Sequence, residues 1–292
     1  MDKTDRAAAS HLFEGAVSRR TFAATGLVTG FTLATGPLNA ATIVTDTNGL
    51  DAGEVQVPVS DGKIPAYRAK PAGAKHLATI VVVQEIFGVH EHIKDLCRRL
   101  AHTGYYAIAP SLYARQGDPG KYDMAHVMDL VKDVVAKVPD AEVMSDIDST
   151  VAFAAGDGAD DSRLGITGFC WGGRIVWLYT AHSPKIRAGV AWYGPLTGTD
   201  NDLRPHTAIE LAAQVKAPVL GLYAGLDQNI HAADIDAMQK ALAAAGNTKS
   251  RIDVFPDAQH GFNADYRPSY NEADAKEGWS RMLGWFRDNG VV

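Results

Sequence analysis

Near position 170 the chain leaves a strand and enters a helix with almost no room to turn. The run Leu164-Gly165-Ile166 is apolar, and Arg174-Ile175-Val176-Trp177-Leu178-Tyr179 has the bulk of a helix packed on a sheet. Between them stands Gly168-Phe169-Cys170-Trp171-Gly172-Gly173. Glycine on both sides lets such a turn tighten until its middle residue stands clear of the backbone, usually in a strained conformation. The pattern is that of the G-x-S-x-G nucleophile elbow, with cysteine in place of serine and a second glycine beyond. A sulfur there sits at a helix N-terminus, where unpaired N–H groups favour a thiolate and an oxyanion formed beside it. The plainer reading is a buried cysteine packed as a small hydrophobe behind one of the glycine-rich turns common in α/β folds. The rest of the chain decides between them.

Strand and helix patterns alternate along the sequence. Val55, Val57 and Val59 alternate with polar residues from Glu54, and Asp61-Gly62 turns the chain toward Ile64-Pro65-Ala66-Tyr67, a β-hairpin signal. Ala78 to Val83 is a continuous, mostly β-branched run, as expected of a parallel strand buried on both faces. Ile93, Leu96, Cys97, Leu100 and Ala101 then recur at helical spacing, which makes Cys97 a core residue. Further strands are expected at Tyr105 to Pro110, before Cys170, and at Ile186 to Trp192, Pro218 to Tyr223 and Arg251 to Phe255. Helices are expected at about Met124 to Lys137, Ala141 to Ala155, Thr207 to Gln214, Ala232 to Ala245 and Tyr270 to Asn289, the last stopped by Gly290. Alternation of this kind predicts an α/β fold: a mostly parallel central sheet with helices on both faces.

With 46% hydrophobic and 21% charged residues in 292, the chain can bury a large core, and a net charge of -6 without a dense basic run argues against a nucleic-acid surface. Two cysteines make no disulfide scaffold, and no Cys/His spacing fits a zinc site. The first forty or so residues read as an address. Ser18-Arg19-Arg20-Thr21-Phe22, the mildly apolar Ala23 to Leu38 and the small-residue exit Asn39-Ala40-Ala41 resemble a twin-arginine export signal. The segment is too short and polar to span a bilayer permanently. Residues 1–41 are therefore expected to be a leader read by the twin-arginine export machinery, with one domain over 42–292 working in the periplasm or outside the cell.

Ligand sites in open α/β sheets gather at the carboxyl ends of the strands. Four polar residues fall there: Glu85, Cys170, Asp227 in Ala224-Gly225-Leu226-Asp227, and His260 in Ala258-Gln259-His260-Gly261-Phe262. Taken singly, Asp227 could form a turn, His260 could be an ordinary loop histidine and Glu85 could cap a helix. Taken together they place nucleophile, acid and histidine in the chain order of the α/β-hydrolases. In that order His260 would take the thiol proton and later activate water, and Asp227 would fix its tautomer and offset its charge.

The chain also resembles the dienelactone hydrolase family of carboxymethylenebutenolidases. The resemblance covers nearly everything after Glu54 and rests on Gln84-Glu85-Ile86-Phe87-Gly88-Val89, Leu112-Tyr113-Ala114-Arg115-Gln116, the segment around Cys170, Gly225-Leu226-Asp227 and His260-Gly261-Phe262. It implies a Cys170, Asp227, His260 triad, an oxyanion hole of the Ile86 and Trp171 N–H groups, and a Glu85 that holds the resting thiol and then becomes its base. It also implies a substrate-binding role for Tyr113 and Arg115, the arginine gripping a substrate carboxylate. Two positions depart from the family pattern. Ala264 stands where the best-known members carry a second carboxylate-binding arginine, leaving Arg267 as the nearest candidate, and Trp171 is bulkier than the leucine that often follows the nucleophile.

The expected activity is hydrolysis of a small, carboxylate-bearing ester or lactone through a Cys170 thioester, without metal or organic cofactor. Two alternatives stay open at the level of sequence. One is a carboxylesterase of broad specificity; the other is a non-catalytic protein that uses Cys170 for binding or redox sensing.

Overall fold

The computed structural model describes residues 42–198 and 200–292. The leader expected at residues 1–41 lies outside them. Eight strands form one sheet in the order β1-β2-β4-β3-β5-β6-β7-β8. They are β1 (Leu50–Val59), β2 (Gly62–Pro71), β3 (Leu77–Val83), β4 (Tyr106–Pro110), β5 (Ala159–Phe169), β6 (Ile186–Trp192), β7 (Val219–Ala224) and β8 (Arg251–Phe255). The strands β1 and β2 form the antiparallel hairpin read from sequence, with Val59 opposite Gly62, and β2 pairs antiparallel with β4. From β4 onward every pairing is parallel. Strands β6 and β7 are buried along nearly their whole length at both odd and even positions, so both faces of the sheet are covered by helices.

Among the described residues six α-helices supply that cover: α1 (Glu91–His102), α2 (Val127–Asp133), α3 (Asp140–Gly156), α4 (Trp171–His182), α5 (Ala232–Ala244) and α6 (Glu272–Asp288). Cys97 on α1 is fully buried, as its place on the apolar stripe requires. Among the described residues no helix is long and apolar enough to cross a membrane.

Two expected helices differ from the observed chain. The stretch from Met124 to Lys137 is broken into 3-10 turns at Met124–His126 and Val135–Lys137 with α2 between them. Val134 leaves the helical region at φ -121 and ψ -69. Adjacent β-branched Val134 and Val135 weaken the helix, and Pro139 pushes the residue before it toward extended backbone. From Thr207 to Gln214 only the 3-10 turn Ala212–Gln214 forms. There the Ala212 and Gln214 N–H groups donate to the Ile209 and Leu211 carbonyls three residues back, so the chain closes tight turns where an α-helix would bond four residues back.

The order β4-β3-β5 is what positions the site. Connections leave β3 in opposite directions, and a crevice opens where the order reverses, outside the carboxyl ends of β3 and β5. Glu85 follows β3 by two residues, and Cys170 follows β5 directly. The start of α4 lies so close to β3 that a Cβ on Gly172 would stand 2.5 Å from both the Val83 and Gln84 carbonyl oxygens. Neither backbone can retreat without unpicking the sheet. Gly172→Ala should therefore destabilise the protein by about 3 kcal/mol or prevent folding. Gly53→Ala, whose Cβ meets nothing within 4 Å, should stay within about 0.5 kcal/mol of wild type in urea denaturation. Equal stability of the two variants would contradict this packing.

Candidate active site

Cys170 caps α4 with φ 55 and ψ -118, a conformation that costs a residue with a side chain on the order of 1–3 kcal/mol. The surroundings hold it there. Its N–H donates to Trp192 O at 3.0 Å on β6, and its carbonyl accepts from the Gly173 N–H at 2.9 Å. The turn closes only because Gly168 and Gly172 lack side chains: a Cβ on Gly168 would fall 2.3 Å from Gly172 O. The sulfur is thereby aimed over the end of the sheet, next to the first turn of α4. Trp171 is the first helical residue, so its N–H has no partner within the helix. Ile86, in the turn after β3, is the other residue expected to form an oxyanion hole and is buried beside Glu85.

His260 and Asp227 come together from the loops after β8 and β7. Those loops are stitched by Gly225 N–H to Phe255 O at 2.7 Å and Leu226 N–H to Ala258 O at 2.9 Å. His260 Nδ1 lies 2.7 Å from Asp227 Oδ2, both side chains nearly fully buried. The other carboxylate oxygen of Asp227 accepts from the N–H groups of Asn229 and Ile230 at 2.8 and 3.2 Å. Burial works against the imidazolium, but the Asp227 carboxylate hydrogen-bonded to the ring and the nearby Cys170 side chain outweigh it and push His260 up to about 10. Burial likewise opposes the Asp227 charge, and His260 and the two backbone donors overcome it, leaving the carboxyl below its ordinary range. Asp227 is thus hydrogen-bonded to His260, and Cys170 lies within electrostatic reach of the same ring.

Glu85 belongs to a second cluster. It is fully buried and its carboxylate has three partners: Tyr266 Oη donates to Oε2 at 2.5 Å, Arg267 Nη2 donates to Oε1 at 3.2 Å, and His90 Nε2 lies 3.3 Å from Oε2. Burial alone would raise its pKa, yet Arg267, His90 and His92 hold it well below the usual carboxylate range. The Arg267 guanidinium also donates through Nε to Tyr266 Oη at 3.0 Å and lies over the Phe87 ring at 5.3 Å. Behind them His90 stacks on His92, whose Nδ1 is 3.0 Å from Asp265 Oδ1, and Asp265 is clamped in turn by Arg99. The hydrogen bonds of Glu85 therefore go to Tyr266, Arg267 and His90, while Cys170 lies within electrostatic reach of His260.

Arg115 is engaged elsewhere than the carboxylate role expected of it. Its Nε and Nη2 donate to Asp61 at 2.7 and 2.6 Å, its Nη1 donates to Asp146 at 2.7 Å, and Glu142 stands 3.6 Å away. These carboxylates come from the β1–β2 turn and α3, distant in sequence, so no local pattern announced them. Tyr113 is buried with its ring edge-on to Trp171 at 4.9 Å between centroids, within electrostatic reach of Cys170. Three neighbours were not singled out from the sequence. His90 and Tyr266 hold Glu85, and Arg204 donates to Val135 O and extends its charge to Tyr113. Their signal was faint: His90 lies just past the turn after β3, and Tyr266 and Arg267 lie just past His260, all at the end of the sheet where a site was expected. Among the described residues no group of three or more His, Cys, Asp or Glu could hold a metal ion.

The sequence profile of the dienelactone hydrolase family matches residues 64–290. A Methylorubrum extorquens protein is 59% identical, over 94% of this chain and 94% of its own length. An Escherichia coli K12 protein is 49% identical, over 91% of this chain and 98% of its own. Both bear the name "Putative carboxymethylenebutenolidase". The crystal structure of a "Putative Dienelactone Hydrolase" from Klebsiella pneumoniae superposes with a TM-score of 0.79 at 52% identity, covering 82% of this chain and 98% of that one.

The pair Asp227–His260 has a measurable signature in stability. His260 is raised in the folded protein above its ordinary 6.5, so its contribution is full below pH 6.5 and is lost as pH rises toward about 10. Asp227 is lowered, so its contribution is present above its ordinary 3.8 and is lost as pH falls through the folded value. The gap in Tm between wild type and Asp227→Asn should thus be widest between about pH 4 and 6.5 and shrink toward pH 10. A gap that is constant, or that widens on the alkaline side, would contradict the charged pair.

Proposed function

This chain belongs to the dienelactone hydrolase family, and from that premise we propose that it hydrolyses small esters and lactones through a covalent thioester on Cys170. The observation that carries the reading is the buried Asp227–His260 pair within electrostatic reach of a sulfur on a strained elbow. An imidazolium beside the sulfur and the N-terminal end of α4 both stabilise negative charge on Sγ as it attacks the acyl carbon. Charge that develops on the carbonyl oxygen meets the N–H groups of Ile86 and Trp171. His260 holds the thiol proton and delivers it to the leaving oxygen; it then draws a proton from the water that cleaves the thioester. Asp227 keeps the ring oriented and offsets its charge throughout. A thiol suits activated acyl groups such as enol-lactones, whose leaving group departs readily.

One cation, Arg204, supports a substrate that carries a carboxylate. Arg204 has no carboxylate within ion-pair distance among the described residues and projects its charge onto Tyr113, whereas the charge of Arg267 is met by Glu85. A broader carboxylesterase is the second reading, favoured by the fact that Arg115 and Arg267 already hold carboxylates of the protein. Selectivity between matched esters with and without a carboxylate separates the two. If the first reading holds, Arg204→Ala should lower kcat/KM for the charged ester by roughly one to two decades and leave the neutral ester nearly unchanged. Arg115→Ala should lower Tm and leave the selectivity unaltered. Equal losses on both esters in Arg204→Ala would favour the broad esterase.

Nucleophile and packing cysteine are distinguished by a simpler comparison. Cys170→Ala should abolish turnover with the fold intact, and Cys97→Ala should retain turnover with a lower Tm. Wild-type turnover in Cys170→Ala would remove the sulfur from the mechanism and leave a thiol-based binding or redox role.

A further inference from the structure

Tyr193 directly follows β6 and has φ 38, left-handed backbone that glycine adopts freely and an aromatic residue rarely does. Its neighbours impose that conformation. The Tyr193 N–H donates to Leu222 O at 2.8 Å, and the next residue, Gly194, is pressed so closely on α4 that a Cβ there would fall 2.2 Å from the Gly173 carbonyl carbon. Strain kept in this way clusters at functional sites, and here it turns the ring toward the catalytic pair. The ring stands edge to face with His260 at 5.1 Å between centroids and packs against Phe262 at 5.3 Å.

The Tyr193 side chain is fully buried, and its hydroxyl has no hydrogen-bond partner among the described residues. That is costly: an unpaired buried donor forfeits about 1–3 kcal/mol. Tyr113 shares this feature, whereas three other buried tyrosines show the ordinary outcome. Tyr223 accepts from Trp177 Nε1 at 3.1 Å and donates to Gly194 O at 3.0 Å, Tyr106 donates to Asp157 and Tyr179 to Asp148. Burial, then the negative charge of Glu85, keep the Tyr193 phenol well above its ordinary pKa, with Cys170 also within electrostatic reach, so it remains a donor. An unpaired donor in the wall of the site has a use when substrate arrives.

Its place beside His260 indicates which substrate atom it meets. The carbonyl oxygen belongs to the side of Ile86 and Trp171, whereas the leaving oxygen must face His260, which returns the proton to it. Resting on the thioester mechanism, we propose that Tyr193 is a catalytic residue whose hydroxyl donates a hydrogen bond to the leaving oxygen during acylation. The balance is simple. The Sγ–C bond forms, the acyl C–O bond breaks, the thiol proton reaches the leaving oxygen by way of His260, and Tyr193 keeps its own proton while stabilising the departing negative charge.

Such a role predicts an effect that depends on leaving-group basicity. For one acyl group esterified to a series of alcohols and phenols, Tyr193→Phe should lower kcat for acylation by about tenfold to a hundredfold on alkyl esters. It should leave the 4-nitrophenyl ester within about threefold of wild type, since that leaving group needs no donor. Retained turnover of the 4-nitrophenyl ester also shows that the variant is folded. Because the hydroxyl is unpaired, Tm should be equal to or higher than that of wild type. A loss of the same size across the whole series, or no loss on any ester, would overturn the proposal. Cys170→Ala should abolish turnover across the whole series, so failure at Tyr193 would leave the thioester reading standing, and failure at Cys170 would remove the basis of both.

Discussion

The structure depends on one close approach, that of the first turn of α4 to the end of β3. Gly172 packs against the carbonyls of Val83 and Gln84 with no space for even a methyl group, and Gly168 packs in the same way against Gly172. That contact joins the two strands flanking the point where the sheet order reverses, and it forces Cys170 into left-handed backbone at the helix N-terminus. A looser turn would let the cysteine relax into the helix and lower its sulfur into the core. The strain is sustained by the sheet, because β5 is hydrogen-bonded between β3 and β6 and cannot shift to relieve it.

Around that fixed sulfur the chain arranges two buried carboxylates with separate tasks. Asp227 is tied to His260 and to two backbone N–H groups, so its charge is spent on the imidazole. Glu85 is tied to Tyr266, Arg267 and His90, so its charge neutralises a buried guanidinium. A buried ion left without its partner would cost several kcal/mol, which is why each carboxylate is so fully engaged. The pairing also divides the site. In the proposed mechanism one wall, carrying His260 and Tyr193, faces the leaving oxygen, and the other, carrying Ile86 and Trp171, faces the acyl oxygen.

Much of this was legible in the sequence because the functional groups follow apolar runs. Glu85, Cys170, Asp227 and His260 each stand within a few residues of a strand that hydrophobicity marks plainly, and in α/β sheets that position alone brings them to one edge. The strands were read within a residue or two for the same reason, except the β1–β2 hairpin, whose outer ends carry little apolar signal, and β5, which begins at Ala159, ahead of the apolar run at Leu164. The helices expected at Met124 to Lys137 and Thr207 to Gln214 were less legible, since the apolar pattern does not tell a continuous helix from a series of 3-10 turns closed by bonds to the third residue back. Arg115 shows the same limit for function: its motif suggested a ligand, but Asp61 and Asp146 reach it from 54 and 31 residues away. Tyr193 was invisible because its strain and its unpaired hydroxyl exist only once the chain has folded.

The central claim is that hydrolysis passes through an acyl group on the elbow sulfur. Its most direct test is to quench wild-type protein in acid during turnover of an activated ester and map the adduct by peptide mass spectrometry. The account predicts one acyl group per chain, on the peptide containing Cys170, removed by hydroxylamine at neutral pH and absent from the peptide containing Cys97. An acyl group on any other residue, or steady turnover with Cys170 unmodified at every quench time, would contradict it.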